Sequence, residues 1–402
     1  MNYALNGSKR RSRTVVGVVG VGLVLAFTAT AYYVQSPYYQ SRQSEIVVTS
    51  AAKPKPIPEG ITTNLQFVGD VFWGRGIQML AQRSAQSYQH ITSGLSAADR
   101  AKYDAWIANF ECPITTKDVP YSLQVSALKF NCRPEYLPEL AKWFTAASQA
   151  NNHTDNNDGD WGLEQTQSNL QTAHIQNFGT YDMGQVGDLC EVITVPAHTT
   201  KTSKLVGLPV ALCGYMYVVD VTPTDAQLAV MRQYAKVMPV IAMPHMGVEY
   251  RTTAEQAKVT AYRRMIDNGA DVVIGAHPHV IQNSENYKGR LIAYSLGNFL
   301  FDQQSLGRDT TLGLAVDLSL TVDDGKTAQL YESIAPSCQV YKDDCLAELT
   351  AKLPERPQIT INYKFQCYDE SSGVPTLGSD AVCDLARSAA TVDQLSGLAT
   401  SW

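Results

Sequence analysis

The chain has 402 residues, 45% of them hydrophobic, enough for one large domain or two ordinary ones with a sizeable core. Its formal charge is −6, and the first 40 residues hold Lys9, Arg10, Arg11 and Arg13 with no acid, so the remainder stands at 28 basic against 38 acidic side chains. That balance excludes a nucleic-acid binder with the usual basic face, and it leaves any polyanionic ligand dependent on local cations. In chain order, Lys9-Arg10-Arg11-Ser12-Arg13 precedes Val15 to Val34, a run without a charge. Such a run spans a bilayer as a helix, and its basic flank predicts a cytoplasmic tail (1–14), a transmembrane signal anchor (15–34) and export of all that follows. The expected location is the cell membrane, single-pass, with the main domain extracellular. Cleavage after Ala29-Thr30-Ala31, which would secrete the chain, is the alternative; the long Val/Leu-rich run and the interfacial Tyr32 and Tyr33 favour the anchor. Residues 35–62, with Lys53-Pro54-Lys55-Pro56-Ile57-Pro58, read as an extended linker.

From there strand and helix patterns alternate. Leu65 to Val68 reads as a strand, with a helix from about Ile77. Ala105 to Ala108 is a second strand, Pro134 to Trp143 a helix, and Thr145 to Ser148 a small-residue strand. Trp161 to Ala173 is helical, Val237 to Ala242 a strand, Ala254 to Asn268 a helix, and Asp271 to Ile274 a strand. Leu291 to Tyr294 and Leu312 to Leu320 are further strands. This succession predicts an α/β domain over 63–335. Residues 336–402 lose the pattern, and their Cys, Pro and Ser/Gly content predicts a loop-rich, disulfide-containing extension. The eight cysteines form no C-x-x-C pair, which disfavours a zinc ribbon, and their even number outside the membrane predicts disulfides. Local pairing of Cys338 with Cys345 and of Cys367 with Cys383 is the expected arrangement.

The chemistry sits where strands end. After the first comes Gly69-Asp70, after the second Asn109-Phe110-Glu111, after the third Asn151-Asn152-His153. His245-Met246-Gly247 follows the Val237 strand, and Gly275-Ala276-His277-Pro278-His279 follows the Asp271 strand. In an open α/β sheet, ligands bind outside the carboxyl ends of strands. Alone, Asp70 is an ordinary helix cap, Glu111 a surface acid, Asn152 a turn residue and His245 a core histidine. Together, five strand ends bring two carboxylates, an amide and four imidazoles toward one place. A carboxylate can bridge two divalent cations, imidazoles and an amide complete the coordination, and a remaining histidine protonates a leaving group.

These motifs, with Tyr294-Ser295-Leu296-Gly297-Asn298-Phe299, resemble the bacterial capsule-synthesis (CapA) family, from about Leu65 to Asp302 in the family's order. The resemblance implies a link to poly-gamma-glutamate and a four-layer αββα sandwich like that of calcineurin-type metallophosphatases. It implies that Asp70 and Glu111 are metal ligands, Glu111 bridging, that Asn152, His245 and His277 hold one metal and His279 the other, and that His153 is the general acid. Metallophosphatases carry D-x-H at the first motif, and here it is Asp70-Val71-Phe72, so one imidazole is missing and one or two ions are expected. Ligand softness selects Mn, Fe or Zn. Arg75, Arg251 and Asn298 are candidates for holding an anionic substrate. The expected partners are the membrane and an anionic polymer such as poly-gamma-glutamate, with no nucleic acid. Three activities follow: hydrolysis of an amide or ester in making, exporting or trimming the polymer; a non-catalytic scaffold in a membrane synthase complex; or a metal-dependent phosphoesterase.

Overall fold

Strand β1 (Ile61–Val71) is buried along almost its whole length and serves four neighbours. The computed structural model describes residues 59–401, apart from 158, 219–221, 339, 393–394 and 396–399. The basic tail, the expected anchor and most of the linker lie outside the described residues. Among the described residues no helix is long and apolar enough to cross a membrane.

The other strands, in chain order, are β2 (Ala105–Phe110), β3 (Ala146–Ser148), β4 (Gln176–Phe178), β5 (Cys190–Thr199), β6 (Leu205–Tyr217), β7 (Val240–Met246) and β8 (Val272–Ile274). They continue with β9 (Ser284–Tyr287), β10 (Arg290–Ala293), β11 (Asn298–Leu300), β12 (Leu312–Val322), β13 (Thr360–Asp369), β14 (Thr376–Leu377) and β15 (Thr400–Ser401). On one side β1 pairs antiparallel with β12 from Ile61 to Phe67 and then parallel with β11 at Asp70 and Val71. On the other it pairs antiparallel with β5 at Ile61 and Thr62, then parallel with β2 from Leu65 to Val71. The sheet therefore forks at β1. One arm runs β5-β6-β7-β8-β10-β9, the other β2-β3-β4, and all belong to one mixed hydrogen-bonded network.

Two cores follow from the fork. Along β2, Ala105 and Ile107 enter the core shared with β5 to β8, while Trp106, Ala108 and Phe110 enter a second core. That alternation is the two-residue period of a strand, and burial on both faces is the habit of parallel strands under helices. The second core takes Ile77 and Ala81 of helix Arg75–Arg83 together with Leu137, Leu140 and Trp143.

The region after 335 differs from the expected loop-rich extension. Residue 335 lies inside helix Gly325–Cys338, a second helix spans Lys342–Lys352, and β13 pairs with β12 from Leu312↔Asp369 to Thr321↔Thr360. The physical reason is the alternation in β13, where Tyr363, Phe365 and Cys367 are buried between the more exposed Asn362, Lys364 and Gln366. All eight cysteines are paired: Cys112–Cys132, Cys190–Cys213, Cys338–Cys345 and Cys367–Cys383. The last two are the local pairs expected from sequence. Cys190–Cys213 links residues directly opposite each other on β5 and β6.

Candidate metal centre

Register sets the first residues of the centre. Asp70 lies opposite Asn109 of β2 and opposite Asn298 of β11, so three polar side chains stand abreast at the end of β1. Glu111 is two residues beyond Asn109 and projects from the same face. The approach of β11 needs Gly69, where a Cβ would lie 1.9 Å from the Gly297 carbonyl oxygen. His245 comes from within β7, not from the loop after it. His277 and His279 follow β8 with left-handed backbones, φ 94° and 58°. For histidine this is an uncommon conformation, and such strain gathers at functional sites.

The side chains converge on Glu111. His245 Nε2 is 3.7 Å from its Oε1, His279 Nε2 3.6 Å and His153 Nε2 4.0 Å. Glu111 is buried, and among the described residues neither carboxylate oxygen has a hydrogen-bond partner. His277 Nδ1 and the Asn152 amide oxygen lie 3.0 and 2.7 Å from His245 Nε2. On the other side His279 Nδ1 is 3.6 Å from Asp70 Oδ2. Two sets with mutually close ligand atoms result, Glu111-His245-His277 and Asp70-Glu111-His279, sharing Glu111.

Outer partners choose the tautomers. Asn298 Nδ2 donates to Gln303 Oε1 and to the Thr310 carbonyl, so its oxygen faces His279 Nδ1 at 2.9 Å. His279 therefore carries its proton on Nδ1 and turns a bare Nε2 toward Glu111. Asn156 works the same way: its oxygen accepts from the Phe130 amide and takes the His153 Nδ1 proton at 2.8 Å. Asn109 donates to Asp70 Oδ1 at 2.8 Å and lies 3.2 Å from His245 Nδ1. Asn151 holds Asn109 in turn at 3.1 Å. The His277 amide donates to Asp70 Oδ2 at 3.1 Å.

Burial dominates the electrostatics. Desolvation raises Asp70 to about 7 and moves Glu111 well above the usual carboxylate range, with the neighbouring Asp70 adding to the second shift. Desolvation lowers His153 to about 4 and His279 to about 3, and it holds His245 and His277 well below an ordinary imidazole. The centre thus offers neutral imidazoles and two buried carboxylates whose charge Lys258 and Arg75 offset only in part. Orphaned carboxylate oxygens of Glu111 facing the bare ring nitrogens of His279 and His153 are what a divalent cation satisfies, so the residues fit one.

The remaining candidates behave differently. Arg75 forms an ion pair with Asp302. Arg251 is 65% exposed and 4.0 Å from Glu255, so it extends into solvent. Asn298 is engaged with His279 and does not face an open cleft. Phe72 lies in an aromatic cluster with Phe130 and Phe301 at 4.5 and 5.0 Å. Sequence reasoning missed Asn156 and Lys258, and treated Asn109 only as part of a motif. For Asn109 the signal was present, since it lies two residues before Glu111 on a strand. Lys258 is buried in helix Gln256–Asp267 and donates to Gln282 Oε1 at 2.8 Å; nothing in its neighbourhood marks it.

Residues 64–303 match the family model described as bacterial capsule synthesis protein PGA_cap. Similar proteins include the "Capsule biosynthesis protein CapA" of Bacillus anthracis, 23% identical over 351 residues, covering 79% of this chain and 82% of that protein. The "PGA biosynthesis protein CapA" of Bacillus subtilis (strain 168) is 29% identical over 257 residues, covering 59% of this chain and 63% of that protein. A solved structure, the crystal structure of TT1561 of Thermus thermophilus, aligns at 9% identity with a TM-score of 0.36, over 63% of this chain and 93% of that one.

Proposed function

The chain belongs to the bacterial capsule synthesis protein family, and from that premise we propose that it acts in the synthesis, export or trimming of an anionic capsule polymer, poly-gamma-glutamate, by hydrolysing an amide or ester bond. The two similar proteins named for capsule and PGA biosynthesis support the polymer. The observation that carries the hydrolytic step is Glu111, whose buried oxygens have no hydrogen-bond partner among the described residues and whose Oε1 faces three imidazoles. Glu111, His245, His277 and Asn152 would hold a divalent ion, with or without a second on Asp70, Glu111 and His279, and when bound it would supply Lewis acidity and lower the pKa of a water. Mn, Fe or Zn suits this mixture of imidazole, carboxylate and amide oxygen.

The chain's own residues do the rest. Asn109 and Asn298 orient Asp70 and His279, and Asn156 orients His153. His153 stacks on Phe130 at 3.8 Å and is held neutral, with its proton on Nδ1. As the general acid it then acts as a shuttle. Nε2 takes a proton from the attacking water and returns it to the leaving nitrogen or oxygen. We read the forked sheet and its two cores as the four-layer αββα arrangement of metallophosphatases. The uncharged run 15–34 anchors the domain outside the cytoplasm in this reading, and four disulfides accord with an oxidising compartment.

Phe72, where the metallophosphatase pattern has an imidazole, favours a second reading: a scaffold in a synthase complex whose centre is structural. Metal analysis of the purified chain, paired with polymer chain length after incubation, separates the two. The expected result is one to two equivalents of metal and shortening of the polymer, both lost in Glu111→Gln. Stoichiometric metal with no cleavage of any amide, ester or phosphoester supports the scaffold. Cleavage of aryl phosphate alone would turn the assignment to a phosphoesterase.

A further inference from the structure

The aromatic cluster beside the centre carries a cation. Arg75 follows β1 with a left-handed backbone, φ 37°, a costly conformation for a long side chain. Asp302 accepts from its Nε at 3.1 Å through each oxygen and from Nη2 at 2.5 Å. Asp302 Oδ2 also accepts from the Gly76 amide at 2.9 Å. A Cβ on Gly76 would lie 2.9 Å from the Asp302 Cβ, so the glycine permits that approach. The guanidinium carbon lies over Phe130, Phe72 and Phe301, at 4.3, 5.0 and 5.9 Å from their centroids. One edge of the fork is therefore fixed and its plane is supported. Among the described residues Nη1 has no hydrogen-bond acceptor, and the side chain keeps 10% exposure.

The supporting rings are also the walls of the centre. Phe130 stacks on His153 at 3.8 Å, and Phe301 lies 4.6 Å from the His279 ring. Arg75 thus stands one ring away from both histidines. Phe72, at the position where the metallophosphatase pattern places an imidazole, forms part of this platform.

We propose that Arg75 reads a carboxylate of the substrate beside the bond to be cut, through the Nη1 edge that Asp302 leaves open. The assignment rests on the polymer reading above, because a γ-linked glutamate chain keeps one free carboxylate on every residue. The chain is acidic and has no bulk attraction for such a polymer, so a local, oriented cation is what recognition requires.

The test is equilibrium binding of fluorescent γ-linked glutamate oligomers to the 402-residue chain loaded with Mn²⁺. The oligomer with free α-carboxylates is compared with the same oligomer amidated at those groups, and with a glycerol-phosphate oligomer. Wild type should prefer the free carboxylates by about tenfold or more, the scale of a charge-assisted hydrogen bond. Arg75→Gln should abolish that preference while metal content stays at the wild-type value and unfolding stays cooperative, at a melting temperature lowered by loss of the Asp302 pair. Asp302→Asn, which frees the guanidinium, should reduce it and serves if the first variant does not fold. A wild-type preference retained in the folded variants overturns the inference and leaves the polymer reading standing. Failure of wild type to bind either glutamate oligomer overturns both. An Arg75-dependent preference for the phosphate oligomer reassigns the residue and overturns the carboxylate.

Discussion

At Asp70 burial raises the carboxyl to about 7, and burial beside Asp70 moves Glu111 well above the usual carboxylate range. A cation binds only the ionised forms, so below about pH 7 it must first displace a proton from Asp70. The histidines add no competing proton there, because His153 and His279 titrate near 4 and 3 and the other two also lie low. Apparent Mn²⁺ affinity should therefore rise with pH from 5 through 7 as Asp70 ionises, and go on rising while Glu111 still holds its proton. Titration calorimetry in buffers of different ionisation enthalpy should detect proton release at pH 6 that is smaller at pH 8. An affinity independent of pH across this range would contradict the burial of these carboxylates. The residues that carry charge or a lone pair were legible because their types are rare and each follows an apolar run. Asn156 and Lys258 were not. An amide in a loop is too common to signal, and the burial of Lys258 comes from tertiary packing that no local pattern encodes.

Among the elements, the segment between Cys112 and Cys132 has the closest bearing on the centre. Cys112 follows Glu111 directly, and the disulfide closes a loop that ends in Phe130 and Asn131. Phe130 supports His153 and Arg75, while Asn131 bonds back to Thr115 and Lys117 within the loop. Loop-closure entropy for a separation of 20 residues gives about 3 kcal/mol. The Cys112→Ser/Cys132→Ser double variant should lose about that much in denaturant unfolding. An unchanged midpoint would show that packing alone holds the loop. Elements with clear periodicity, such as β1, β2, β7 and the helix at Gln256–Asp267, could be read from sequence. The hairpin β5–β6 could not, because Pro196, Pro209, Gly207 and Gly214 punctuate it with residues that ordinarily break strands. Here Pro196 faces Gly207 and Pro209 faces Thr194 within the pairing.

For the molecule as a whole, the C-terminal region is part of the sheet. β13 covers one edge of β12 along its length, and β12 in turn flanks β1. Deleting residues 336–402 should expose that edge and give aggregated protein by size-exclusion chromatography. A monodisperse, metal-binding product would show that the region is a separable appendage after all. The α/β class was legible in the alternation of elements. The fork at β1 was not, because strand order depends on contacts between distant segments. Those contacts also set a timetable. The amide of His277 donates to Asp70 across a separation of 207 positions, so the centre has no existence on a half-synthesised chain. Any ion it takes is acquired after the last ligand has been made, wherever the finished polypeptide folds. Metal supply in that compartment then joins ligand chemistry in deciding which element the protein carries.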